Sequence, residues 1–491
     1  MSKTILPLTF GVEIEFLFAT QKPKTYEITC RSEEFNLDNY EGDPDDTWNE
    51  EDEDIDPDDR EYWQTCQSAM ILRKKGVALA IYYDKPQQNT VLRRWNLTTD
   101  TCIRLPSTDE EAVKWTNGIA RAVDDWEFLG LELISPVLKA PDTTSAAFDG
   151  VSFRELDRVL AAMQASPSAP YIYTANAKVS SLHVHIGVEL SELGTPNDIP
   201  LNVLQHLTWM ILAYEDAITL LHHPERHGYY GTKSRERTMS NRRIFSPEWQ
   251  VKNEPLPNFN HTCGQTPVFD AELAFNRIFA EVKSHSDLTC LVSNQVSRHN
   301  GWWRETMVNF GNLVSQSVDT QRVPTKTVEF RQHHGTLDVQ EIKEWVYFVT
   351  SLVRAAEKKA NEEVSRPLLG SSEAQDPLTP TVVAREKAKY PMIWTKKMRT
   401  LRELFDLMDL PLERRKYWFL RAQTMRSDKF ADYFKDGTCT PDACTGSVIR
   451  NSEGWEEGEL IEIPWDRESE VDARPASELP PTDGDGDVMM Y

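Results

Sequence analysis

The chain has 491 residues, room for two or three domains or for one large catalytic domain with appendages. Its formal net charge of −24 is mostly local: residues 41–60 set twelve acids against one arginine and residues 451–491 thirteen against two, so each run nets −11. Such runs cannot bury enough apolar surface to order themselves, so a disordered insertion at 41–62 and a disordered acidic tail at 447–491 are expected, and both would repel nucleic acid.

Seven scattered cysteines, an odd number in a long chain, exclude a disulfide scaffold, and Cys439 and Cys444 lack the second pair that a zinc site needs. No window reaches the roughly 18 apolar residues that span a bilayer, and MSKTILPLTF has no signal-peptide core. The expected setting is therefore soluble and cytoplasmic, with no membrane partner.

In chain order, residues 8–18 (LTFGVEIEFLF) read as a buried strand with two acids in alternation. Strand patterns resume at 77–83, 91–97 and 126–138, the last ended by Ser135-Pro136, and a helix is expected over 152–164. The strand 179–188 follows, then a long helix over 201–222 that stops before Pro224. A basic stretch with Arg235, Arg237, Arg242 and Arg243 reads as a solvated loop or as a lid over phosphates. Residues 271–283 suit a helix, and 308–313 and 326–335 suit strands. Asp338 with Glu341 three positions on predicts a capping box opening an amphipathic helix, VQEIKEWVYFVTSLVRAAEKK. A linker at 361–395 and a C-terminal helical segment at 396–446 complete the order, with helices expected over 399–409 and 412–425.

Three of these strands each carry a polar pair two residues apart around an apolar residue: Glu13/Glu15, His183/His185 and Glu329/Arg331. Residues i and i+2 leave the same face of a strand, so each pair faces one side while Ile14, Val184 or Phe330 packs on the other. Glu132, between Leu131 and Leu133, is a fourth carboxylate of this kind. On one sheet face these groups would supply ligands for a hard divalent cation and a guanidinium for phosphate or carboxylate. Each pair also has a plainer reading: a solvent-facing strand for Glu13/Glu15, core histidines for His183/His185, and a simple ion pair for Glu329/Arg331. The HxH pair by itself also admits a zinc hydrolase or a cupin barrel; the cupin landmarks are missing. His222, His223 and His227 mark a helix end. No P-loop, Rossmann glycine fingerprint, HExxH or Gly-x-Ser-x-Gly elbow occurs, so a nucleotide would have to be held by strands and metal ions.

Taken in order, GVEIEF, GLELISPVL, SLHVHIG and TVEFRQHHGTLD resemble the amidoligase family of the carboxylate–amine ligase superfamily, which includes glutamine synthetase and gamma-glutamylcysteine synthetase. WNLTTD at 95–100, HPER at 223–226 and the Asn309 strand also match in place. The resemblance covers about residues 8–360 and implies an α+β catalytic domain over 1–360: a curved, mainly antiparallel sheet forming an active-site funnel with helices outside. It implies an ATP-dependent ligase that uses Mg²⁺ or Mn²⁺ to join a small-molecule carboxylate and an amine through an acyl phosphate. Glu13, His183 and Glu329 would then hold the metal near the transferred phosphoryl group, and Glu15 and Glu132 the one nearer the acceptor. His185 would touch the nucleotide phosphates, and Arg331 would stabilise charge on the γ-phosphoryl. A catalytically silent nucleotide-binding scaffold on the same fold is the alternative.

Overall fold

The computed structural model describes residues 5–22, 57–81, 94–144, 148, 150–164, 169–175, 180–192, 195–219, 221–222, 226, 241–242, 270–292, 306–314, 325–363, 380–395, 398–433 and 462–464. Leu8–Gln21 forms β1, fourteen residues long and the centre of a nine-stranded mixed sheet. Phe10, Val12, Ile14, Phe16 and Phe18 are buried in the main hydrophobic cluster, as a period of two requires. The other strands are β2 (Leu79–Ile81), β3 (Trp95–Thr99), β4 (Trp126–Ile134), β5 (Leu138–Lys139), β6 (Tyr171–Thr174), β7 (Ser181–Val188), β8 (Val308–Asn309) and β9 (Val328–His334). Their order is β2-β3-β4-β1-β7-β9-β8, with β5 and β6 also pairing with β1, and only β2–β3 is parallel.

Around the sheet stand α1 (Pro57–Lys74), α2 (Asp109–Trp115), α3 (Val151–Met163), α4 (Leu201–Thr219), α5 (Ala271–Asn276), α6 (His285–Val292), α7 (Val339–Asn361), α8 (Pro380–Ala388), α9 (Pro391–Thr395), α10 (Leu401–Leu407) and α11 (Leu412–Tyr433). The architecture is α+β. α1 begins inside the 41–62 stretch expected to be an insertion, with proline at its first position, where the missing N–H costs nothing. Met398–Thr400 (β10) pairs with Glu462–Pro464 (β11), so three residues of the acidic tail join a small sheet; the rest of the tail and residues 41–56 lie outside the described residues. No described helix is long and apolar enough to cross a membrane.

Helix α7 lies against α4 and β7, and its middle is buried from Ile342 to Val353. The Asp338 carboxylate caps it by accepting from the Gln340 and Glu341 N–H groups. The reciprocal half of the expected capping box is replaced, because the Asp338 N–H donates to Thr336 Oγ1 at 3.1 Å. Glu341 instead accepts from Thr336 Oγ1 at 2.6 Å and ion-pairs with Arg421, a stronger attraction than a backbone amide offers.

Helix α4 ends at Thr219 rather than 222 and breaks at Tyr214 (φ −112°, ψ 16°). Arg242 takes carbonyls freed there, donating to Leu212 O at 2.6 Å and Ala213 O at 3.1 Å, while Glu215 accepts from the Asn241 and Arg242 N–H groups. Arg242 is therefore a buried cation of the scaffold. Arg235, Arg237 and Arg243 lie outside the described residues, as do Cys439 and Cys444.

Candidate metal centre on the sheet

The face of β1 opposite the main core carries Gly11, Glu13 and Glu15. Toward the end of the strand the same parity turns apolar: Leu17 packs with Ile103 and Trp115, and Ala19 with Ala112, Ala120, Trp126 and Ile172. These two small clusters bound the polar face at that end.

Register fixes the site. Glu13 stands opposite His183 on β7, Glu15 opposite Glu132 on β4, and His185 opposite Glu329 on β9. Asn309 on β8 pairs with Glu329, and Thr98 on β3 with Glu132. β7 and β9 slip register between Leu182 and Val184: Leu182 faces His333 and Val184 faces Phe330. Arg331 and Gln332 therefore both oppose His183, a bulge of one extra residue on β9.

All seven residues picked out in the sequence share this face. His183 Nδ1 lies 3.0 Å from Glu13 Oε2 and 3.6 Å from Glu329 Oε1, and its Nε2 lies 3.4 Å from Glu15 Oε1. His185 Nε2 is 3.0 Å from Glu13 Oε1, and its Nδ1 is 3.0 Å from Thr327 Oγ1. Arg331 ion-pairs with Glu329 and comes within 3.5 Å of His183 Nδ1. Glu329 Oε2 also accepts from Asn309 Nδ2 at 2.8 Å and Asn312 Nδ2 at 3.1 Å. Two groups have ligand atoms all within 4.8 Å of one another: Glu13, Glu132 and His183, and Glu13, His185 and Glu329. Glu13 belongs to both, so it bridges the two halves of the face.

The electrostatics are unbalanced toward negative charge. Burial opposes ionisation of Glu13, but the His185 and His183 imidazoles outweigh it and hold the carboxyl well below the usual range. Burial works the same way on Glu329 and is overcome by Arg331 and His185. Glu132 has no such relief: burial, compounded by the Glu13, Glu15 and Asp100 carboxylates, pushes it well above the usual range. Asp100 is raised by burial and then by Glu15. Burial disfavours charge on His185, yet Glu13 raises its pKa; for Arg331 burial is offset mainly by Glu329. The side chain of His183 is 2% exposed, and among the described residues its Nε2 has no hydrogen-bond partner. Crowded carboxylates around buried imidazoles, one of which has a ring nitrogen without a hydrogen bond, fit a divalent cation, which would relieve the repulsion.

Some site residues were not legible as such. Asn309 and Asn312 hold Glu329, Thr327 orients His185, and Asp100 adds a fifth carboxylate. Asp100 is brought in by Gly130 on β4, where a Cβ would stand 2.5 Å from Asp100 O and 2.8 Å from Ile103 Cβ. The backbone bond Asp100 N–H to Gly130 O, 3.0 Å, completes that close approach. WNLTTD and the Asn309 strand were the available signals. No protein-family model matches the chain, and no match is found among curated proteins.

Proposed function

We propose that this protein is an ATP-dependent carboxylate–amine ligase of the amidoligase kind, with the funnel-like glutamine-synthetase fold that this kinship carries. The observation that carries the reading is the single face on which Glu13, Glu15, Glu132, His183, His185, Glu329 and Arg331 converge across four adjacent strands. Bound Mg²⁺ or Mn²⁺ would supply charge neutralisation of the phosphates and of the developing phosphoryl charge. By the family resemblance Glu13, His183 and Glu329 would hold one ion and Glu15 and Glu132 another nearer the acceptor, whereas the ligand-atom distances group Glu132 with Glu13 and His183, and His185 with Glu13 and Glu329. Asn309 and Asn312 fix the Glu329 carboxylate, and Thr327 fixes the His185 ring, so neither has to reorganise when a nucleotide arrives.

In the reaction, an oxygen of the substrate carboxylate bonds to the γ-phosphorus of ATP as the bond to ADP breaks. The amine nitrogen then bonds to the acyl carbon, phosphate leaves, and the nitrogen gives up a proton. Arg331, ion-paired with Glu329, would compensate the phosphoryl charge, and His185 would contact the phosphates. The test is ADP release from ATP with Mg²⁺ or Mn²⁺ across a panel of carboxylates and amines. The expected result is turnover that needs both substrates and is lost in Glu329→Ala. ADP release no greater than that of the variant across the panel would sink the ligase reading, and stoichiometric zinc with ATP-independent hydrolysis would replace it.

A further inference from the structure

Next to the metal-like face lies a second cluster of ligand-type side chains. His333, His334 and Glu341 present ligand atoms within 4.8 Å of one another, at the end of β9 and the start of α7. The two imidazoles stack with centroids 4.7 Å apart, and His334 Nε2 is 3.3 Å from Glu341 Oε1. His333 Nδ1 lies 2.8 Å from His334 O, so that nitrogen carries the proton and Nε2 is a lone pair. Burial, reinforced by Arg421, pushes the His333 pKa down to about 4, so the ring is neutral.

A cation already stands where a metal would. Arg421 on α11 ion-pairs with Glu341, and the same Nη2 lies 3.3 Å from His333 Nε2 and 3.4 Å from His334 Nδ1. Its Nε donates to Leu221 O at 3.1 Å. One guanidinium thus ties together β9, α7 and the turn after α4.

That position bears on the site. Phe330 and His333 both reach Trp345 on α7, with centroids 6.4 and 5.7 Å away, although residues three apart on a regular strand face opposite sides. The bulge at 331–332 resolves this by shifting the parity after Phe330, while Arg331, two residues from Glu329, stays on the Glu329 and His183 face. The backbone of Arg331 is bonded away from β7: its N–H donates to Met307 O at 2.8 Å, and its carbonyl accepts from Arg226 at 3.1 Å. Arg421 grips the two residues just past the bulge and Leu221, five residues before Arg226.

We propose that Arg421 is a positioning residue, the resident cation of the His333–His334–Glu341 cage, through which the C-terminal helix clamps the β9 bulge at 331–332 and so steadies Arg331 within it. Only its consequence for turnover rests on the ligase reading. The cage itself can be probed without it.

The test uses full-length protein and backbone hydrogen exchange over 328–336, in wild type, Arg421→Gln and Arg421→Lys. Arg414→Gln, which removes the other α11–α7 ion pair away from β9, is the control. Exchange at the β9 end is expected to rise at least about tenfold in Arg421→Gln, less in Arg421→Lys, and little in Arg414→Gln. Equal loosening by the Arg421→Gln and Arg414→Gln variants, or none in Arg421→Gln, would overturn the proposal. So would one equivalent of Zn²⁺ bound by wild type and lost in His333→Ala, which would make the cage a metal site. Given ligase turnover, Arg421→Gln lowers kcat and leaves the KM for ATP unchanged, because the nucleotide ligands themselves remain. A drop in nucleotide affinity alone would count against positioning of Arg331, whereas absence of turnover in wild type bears only on the ligase reading.

Discussion

Glu132 shows how much one carboxyl can reveal. It is held by burial and by three neighbouring acids in a state that favours its proton. Its folded pKa lies above the unfolded value of 4.5, so its contribution to stability is full below about pH 4.5 and is lost as pH rises toward the folded pKa. Near neutral pH, Glu132→Gln removes that penalty while leaving an amide of the same shape. Melting in EDTA is expected to rise by roughly 2–4 °C, on the order of 1 kcal/mol. The same change removes a ligand oxygen, so the upward shift that excess Mn²⁺ gives the wild type shrinks in the variant. Thermal melts of both proteins with EDTA and with Mn²⁺ check the two signs together. A variant that melts lower in EDTA while keeping the full Mn²⁺ shift would show that Glu132 is an ordinary paired carboxylate.

Among elements, α11 meets α7 through three side chains on one face. Arg414 meets Glu344, Trp418 packs on Trp345 and Phe348 at 5.9 and 5.1 Å, and Arg421 meets Glu341. Positions 414, 418 and 421 share one helical face, as i, i+4 and i+7 do. Burial raises the Glu344 pKa to about 7 even against Arg414. With the folded value above 4.5, the stability tied to Glu344 is intact below about pH 4.5 and erodes as pH rises to about 7. Arg414→Met takes away the opposing charge, raises that pKa further and carries the erosion to higher pH. The cost is expected to be roughly 3–5 kcal/mol at about pH 8.5 and much less at about pH 5. Glu344→Gln should cost little at either pH. Urea unfolding of the variants at the two pH values measures this, and a pH-independent cost for Arg414→Met would mean that Glu344 does not titrate in this range. None of these contacts was legible from periodicity, which marks an apolar stripe but not which helix meets it. The strands were clearer: polar alternation on β1, β7 and β9 exposed Glu13, Glu15, His183, His185, Glu329 and Arg331, because burial on one face imposes a period of two. The bulge at 331–332 breaks that period, and so the sequence hid the role of His333 and His334.

At the scale of the whole molecule, the C-terminal helices and the central strand share one core. Leu401, Leu404, Phe405, Trp418 and Ala422 belong to the same buried cluster as Phe10, Ile14 and Phe330. Composition separated them, since residues 361–395 read as a linker, and only packing shows that the chain returns. Trp418 is fully buried, and losing such a side chain costs about 3–5 kcal/mol by itself. A typical domain has about 5–15 kcal/mol of stability in total. Residues 1–395 are therefore expected not to melt cooperatively, because several buried side chains are lost at once and Glu341 and Glu344 lose Arg421 and Arg414. Residues 1–433 keep α11 and, among the described residues, lose the three-residue pairing of β11 with β10; they should melt close to the full chain. Calorimetry on the two truncations decides the matter. A cooperative transition of 1–395 at the full-length temperature would make the C-terminal helices an appendage, and the link from Arg421 through β9 to Arg331 would then have no structural basis.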